Sequence, residues 1–104
     1  MTQTNKTKFR SSKKWKDFRD EMRKAQKIDP VTGNKLTRMA NLHHKDMDDS
    51  HYEDLSNKDN FVFLNQATHK CVHFLFSKTH PKQWRDRIAA LSVILEDMEK
   101  LLIK

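Results

Sequence analysis

Of 104 residues, Gly33 is the single glycine, the one residue that takes a left-handed backbone conformation without steric cost. It sits in Pro30-Val31-Thr32-Gly33-Asn34, between the apolar residues Ile28 and Leu36. That composition predicts a tight turn or short hairpin here, the strongest turn signal in the chain. Hydrophobic residues make up 36% and charged residues 34%, so the core is small and the length suits one domain. A bound metal ion would supply stability that such a core lacks, because binding free energy becomes folding free energy.

The pattern on either side of the turn gives an α+β order. Residues 1–10 are polar and are expected to form a disordered basic tail ahead of a single domain over 11–104. Ser11-Ser12 can cap a helix over about 13–27, where Trp15, Phe18 and Met22 recur at helical spacing among charges. An extended segment over about 36–43 follows the turn and ends at His43-His44. Residues 45–59 are polar and read as a loop. Phe61-Val62-Phe63-Leu64 is aromatic and β-branched, a buried strand. A helix is expected from Gln66 to about Ser77. Pro81 fits the first turn of a last helix, with Thr79 or His80 as its cap. Trp84, Ile88, Leu91, Leu95, Met98 and Leu102 line one face of residues 82–103. There is no internal repeat.

Charge is uneven. Residues 1–27 carry ten Lys/Arg against three acids, which accounts for the whole net charge of +7; the other 77 residues hold eleven of each sign. A basic arm on a neutral body fits a polyanion, since clustered cations gain from counterion release. Lys13, Lys14, Lys16, Arg19 and Arg23 are the candidates in the arm. Cys71 is the single cysteine, so no disulfide forms within the chain and no cysteine zinc site exists. With no apolar leader and no run long enough for a membrane span, the expected location is the cytoplasm, without membrane contact.

Four of six histidines and one asparagine carry the chemistry: His43-His44, Asn60, His69 and His73. An adjacent His pair can give one metal ligand and one general base. A His-x-x-x-His pair, one helical turn apart, can give two more ligands on one face. Together they suggest metal-dependent hydrolysis of a phosphodiester. Adjacent histidines alone mean little, and His-x-x-x-His alone is a weak signal. Their joint spacing, inside a strand–loop–strand–helix order, is far more specific. A structural zinc site would want a fourth protein ligand, for which His51 and His80 are the available side chains, though both read as solvated loop residues.

The stretch from Asp29 to Leu75 resembles the HNH endonucleases, in the His-His variant found in nuclease colicins and small phage proteins. The residues that carry the resemblance are Ala40-Asn41-Leu42-His43-His44-Lys45-Asp46 and the run from Asn60 to His73. Asn60 precedes His69 by nine residues, and His69 precedes His73 by four. The resemblance implies a ββα-metal finger over about 29–77, flanked by N- and C-terminal helices, the latter over about 81–103. It implies His43, His69 and His73 as ligands of one divalent metal (Mg, Mn, Zn or Ni), His44 as general base, and Asn60 pinning the loop and aiming the His44 ring. It also implies products with 5′-phosphate and 3′-hydroxyl ends. Zinc-binding Cys-x-x-Cys pairs, which brace many members, are missing. Trp15, Phe18, Trp84 and Ile88 are the candidates to brace the finger instead. Arg38, on the strand leading to His43, and Lys70, beside a ligand, are candidates for touching the substrate backbone. Cys71 reads as a small core residue, and Phe74, Leu75 and Phe76 as packing.

The function expected on these grounds is a metal-dependent DNA endonuclease, nicking or cutting duplex DNA; the resemblance to small phage proteins implies phage origin and activity in the host cytoplasm. A homodimer or a separate targeting protein would supply a second cut or specificity. The competing reading is a non-catalytic nucleic-acid-binding adaptor that keeps the finger as scaffold. A ribonuclease of the same fold ranks lower, because the sequence offers no clear reader of the 2′-hydroxyl.

Overall fold

The computed structural model describes residues 3–46 and 52–103. Its elements run α1 (Gln3–Arg10), α2 (Lys13–Ala25), β1 (Asn41–His44), β2 (Phe61–Leu64), α3 (Gln66–Leu75) and α4 (Trp84–Leu102), with 3-10 turns at Lys58–Asn60 and Pro81–Gln83. Helices and one two-stranded antiparallel sheet make this an α+β chain. It divides into two compact units, Met1–His69 and Lys70–Lys104, with the boundary inside α3. No helix of the described residues is long and apolar enough to cross a membrane.

In the first unit, residues 3–10 form α1 rather than a disordered tail. The reason is Phe9, whose ring is buried 5.5 Å from Trp15 and 5.8 Å from Tyr52. Burying one Phe contributes roughly 1.5–3 kcal/mol toward ordering this polar segment, beside its helical hydrogen bonds. Ser12 then caps α2, its hydroxyl accepting from the Trp15 N–H at 3.3 Å. The apolar stripe of α2 faces inward: Trp15 and Phe18 are buried with Phe9 and Phe61. A second cluster joins Leu36, Ala40 and Phe63, and Met22 and Leu42 pack against both.

The turn at the glycine forms as the sequence predicts. Gly33 has φ 73°, the Gly33 N–H donates to the Asp29 carbonyl, and Ile28 bridges Lys35. The strand after it is shorter than the 36–43 expected, covering Asn41–His44 only. Residues 37–40 make a turn closed by Ala40 N–H to Thr37 O. Two arginines of α2 supply the partners that a strand neighbour would otherwise give. Arg23 donates to the carbonyls of Leu36 (2.9 Å) and Thr37 (3.1 Å), and Arg19 to that of Ala40 (3.2 Å). Both guanidinium groups also lie over the Phe63 ring, at 5.5 and 5.4 Å.

β1 and β2 pair with Asn41 opposite Leu64, Leu42 opposite Phe63, His43 opposite Val62 and His44 opposite Phe61. The outer edge of β2 is covered by a side chain. Gln26 accepts from the Phe63 N–H (2.8 Å) and donates to the Phe63 carbonyl (2.8 Å), imitating a neighbouring strand. Asp29 ties the glycine turn to the start of α3. Fully buried, its carboxylate accepts from the N–H groups of Val31 (2.8 Å), Thr32 (3.1 Å) and Asn65 (3.0 Å). Burial alone would push its pKa up; the Thr68 hydroxyl and those three N–H groups outweigh this and hold it below the ordinary value.

The second unit holds the last part of α3 and all of α4. Arg87 donates to the carbonyls of Phe74 (2.8 Å) and Leu75 (3.2 Å), satisfying the end of α3. Pro81 occupies the first turn of the 3-10 segment that leads into α4. No residue of α4 is buried; Trp84 is partly covered and Ile88 exposed. Cys71 and Phe74 are likewise exposed rather than packed, and Phe76 is only partly covered. A helix with one apolar stripe gives the same sequence signal whether or not that stripe is covered.

Candidate metal centre

Alternation along β1 separates its two histidines. Successive strand residues point to opposite faces. His43 therefore faces α3, its ring 5.2 Å from that of His69, while His44 faces α2, its ring 5.7 Å from that of Trp15. The single-residue step between them assigns the two rings to different surroundings.

On the His43 face, helical spacing brings up the other two imidazoles. His69 and His73 are one turn apart on α3. One ring nitrogen from each of His43, His69 and His73 falls within 4.8 Å of the other two, near enough to hold a metal ion. Nitrogens around a tetrahedral zinc are about 3.4 Å apart, given bonds of roughly 2.0–2.1 Å, so closure asks for modest side-chain adjustment. His43 is buried, His69 half-buried and His73 exposed, so the triad opens toward solvent on one side. Asn41, two residues before His43 and so on the same face, donates from Nδ2 to His69 Nδ1 at 3.0 Å. Such a partner fixes the ring plane of an imidazole.

On the other face, the His44 ring is sandwiched. It stacks on Tyr52 at 4.6 Å and 11°, on Trp15 at 5.7 Å and 10°, and meets the edge of Phe61 at 4.8 Å. Its Nε2 lies 3.1 Å from the Tyr52 carbonyl. A carbonyl only accepts, so Nε2 carries a proton, and in the neutral ring Nδ1 keeps the lone pair. Burial among aromatics pushes the His44 pKa below 6.5, and nearby Lys6 adds to the shift. The Tyr52 hydrogen bond and Asp46 offset it only in part. At neutral pH the ring is therefore a neutral base.

Asn60 does the first half of what was expected of it. Its Oδ1 accepts from the Asp46 N–H (3.0 Å), and its carbonyl accepts from the Lys45 N–H (2.8 Å), so it pins the chain just after His44. The second half, aiming the His44 ring, falls to Tyr52 and Trp15. Tyr52 carried no sequence signal, since nothing in a polar loop marks which carbonyl will reach the ring. Asn41 was findable: it precedes His43 by two, the spacing that places it on the ligand face.

The candidate nucleic-acid contacts separate in the same way. Lys14, Lys16 and Lys70 are exposed. Lys13 is exposed and paired with Asp17 at 2.7 Å, whose hydrogen bond and charge raise the Lys13 pKa. Arg38 is exposed in the 37–40 turn, not on a strand. Arg19 and Arg23 are engaged with loop carbonyls and Phe63, as described above. Of the two proposed fourth ligands, His80 is exposed beside Pro81, and His51 lies outside the described residues, as do Asp48 and Asp49 of the loop. Among the described residues the group placed so that it could hold a metal ion is these three histidines.

Searches with family models and among characterised proteins and solved structures find no match to this chain. The functional reading accordingly rests on the site's own chemistry.

Proposed function

We propose that the chain is a metal-dependent endonuclease of the HNH, ββα-metal kind, hydrolysing phosphodiester bonds in duplex DNA. The observation that carries the reading is the sorting of four imidazoles: three gathered within 4.8 Å, and a fourth, next in sequence, half-buried among aromatic rings on the opposite face, with its pKa lowered. The order β1, β2, α3 fits the same reading.

His43, His69 and His73 would hold the ion, and the donor chemistry fits: three neutral imidazoles with one open side suit Zn or Ni by affinity, while Mg or Mn suit turnover by availability. When bound, a divalent ion stabilises charge on the phosphate and on the departing oxygen. His44 Nδ1 takes a proton from water as the water oxygen forms its bond to phosphorus, and the bond from phosphorus to the 3′ oxygen breaks. The Tyr52 carbonyl holds the Nε2–H throughout and stabilises the imidazolium that results. Asn60 keeps the segment after His44 in place while the ring changes charge. Exposed Lys14, Lys16 and Lys70 supply attraction for the phosphate backbone.

The test is relaxation of supercoiled plasmid with Mg²⁺, Mn²⁺, Ni²⁺ or Zn²⁺, beside His44→Ala and a chelator. Cleavage that both controls abolish, with metal affinity of His44→Ala unchanged, supports the nuclease. Salt-sensitive DNA binding without cleavage under any metal would replace it with a binding adaptor. Parallel digestion of RNA separates a ribonuclease.

A further inference from the structure

We infer that α4 is an antiparallel dimerisation helix, its occupant a second copy of this chain. This does not depend on the nuclease reading. Trp84, Ile88, Leu91, Leu95, Met98 and Leu102 follow one another at steps of four, three, four, three and four. That is the two-in-seven spacing of a coiled-coil seam, widened along one flank by Ile94 and Leu101, which are also exposed. α4 has 19 residues, none of them buried. Ile88 is 40% exposed, Leu95 59% and Leu102 80%; Trp84 and Leu91 are partly covered.

Charge selects the partner and its direction. Lys82, Arg85 and Arg87 outweigh Asp86 at the start of this segment, and Glu96, Asp97 and Glu99 outweigh Lys100 near its end. This is the reverse of what a lone helix favours, since its N-terminus prefers anions and its C-terminus cations. A second copy running antiparallel corrects the fault by laying each basic end against an acidic end. The register closes as well. Pairing Ile88 with Met98, Leu91 with Leu95 and Trp84 with Leu102 of the other copy matches every seam residue at a single alignment. Arg85 and Glu99 then flank the seam and face each other across the two copies, twice by symmetry. In a parallel pair the same flanking positions set Arg87 against Ser92 and Ile94 against Glu99, with no opposite charges. A symmetric, self-complementary contact is the form expected of a homodimer.

The experiment is sedimentation equilibrium of the full-length chain across a concentration range. The expected result is a monomer–dimer equilibrium. Leu95→Lys, in the seam, should raise the dissociation constant by about a hundredfold or more, whereas Val93→Lys, equally exposed but off the seam, should leave it nearly unchanged. Glu99→Arg should weaken the dimer about tenfold, and adding Arg85→Glu should restore it. A monomer at all concentrations overturns the proposal. So does equal loss from Leu95→Lys and Val93→Lys, which would mean unspecific apolar association. Failure of the double reversal to restore overturns the antiparallel register. All four substitutions lie on exposed positions, and circular dichroism of each variant checks that the fold is kept.

Discussion

Asp29→Asn, a change of one heavy atom, should destabilise this protein strongly. The replacement keeps one oxygen, which can still serve the Val31 and Thr32 N–H groups, 2.8 and 3.1 Å away. The other oxygen becomes an NH₂ group facing the Asn65 N–H, which now sits 3.0 Å from the carboxylate. Two donors then oppose each other in a fully buried place. Hydrogen bonds to a charged group contribute about 1.5–3 kcal/mol against about 0.5–1.5 for neutral ones, and an orphaned buried donor costs about 1–3, so the sum is roughly 3–4 kcal/mol. For a domain of this size that lowers Tm by roughly 15–25 °C. The acid limb supplies an independent check. Because the folded Asp29 pKa lies below its unfolded value, the stabilisation is complete above about pH 4 and fades as pH falls through the lower folded value. The gap between wild type and variant should therefore be widest at neutral pH and close in strong acid. Thermal unfolding followed by circular dichroism, with tryptophan fluorescence of a Trp84→Phe background, which leaves Trp15 as the reporter, measures both. A gap of only a few degrees at neutral pH, or one that persists in acid, would refute the reasoning.

The His44 ring, followed by NMR in metal-free protein, should titrate below the ordinary histidine value of about 6.5, because burial disfavours its charged form. Its contribution to stability is then complete above that value and is lost as pH falls through the lower folded pKa; Trp15→Ala should move the midpoint upward, and a wild-type midpoint at or above 6.5 would contradict the account. Zinc at about a hundredfold its dissociation constant should add about 2.7 kcal/mol to unfolding free energy, reversibly by chelator. Removing the His43 imidazole (His43→Ala) should abolish that gain, and equal stabilisation of the variant would argue against the triad. Gln26→Ala should cost about 2–3 kcal/mol by exposing the Phe63 N–H and carbonyl, and chemical denaturation showing under 1 kcal/mol would mean water serves that edge equally well.

Spacing made the imidazoles legible in the sequence, because His-x-x-x-His reads the pitch of α3 and the adjacent pair reads the alternation of β1. The Phe61–Leu64 strand and the Ser12 cap were legible for similar reasons: each is a local pattern with a local cause. Features set by long-range partners were not. The strand expected over 36–43 is shortened because Arg19 and Arg23, some 13 to 21 residues earlier, take the carbonyls of the 36–40 loop. Helix α1 exists because Phe9 finds Trp15 and Tyr52, and only Trp15 is near it in sequence. The polar staples, Asp29 to Asn65 and Gln26 to Phe63, span 36 and 37 residues, and polar side chains give no periodic sign of burial. On α4 periodicity marks an apolar face, but it records only that a face seeks cover, not what covers it.

The stacking of Trp15 on His44 bears on modularity. The residues that name the motif all lie between Asp29 and Leu75, and the segment looks like a portable cassette. Yet one wall of the sandwich around His44 comes from α2, which precedes that segment entirely. Transferred alone into another protein, by recombination or by design, the segment would carry all four histidines but leave the indole behind. The three that gather on α3 and β1 would travel with their own scaffold, whereas the fourth would arrive without half of its setting. Inheritance of the whole, helix and cassette together, is what this architecture rewards.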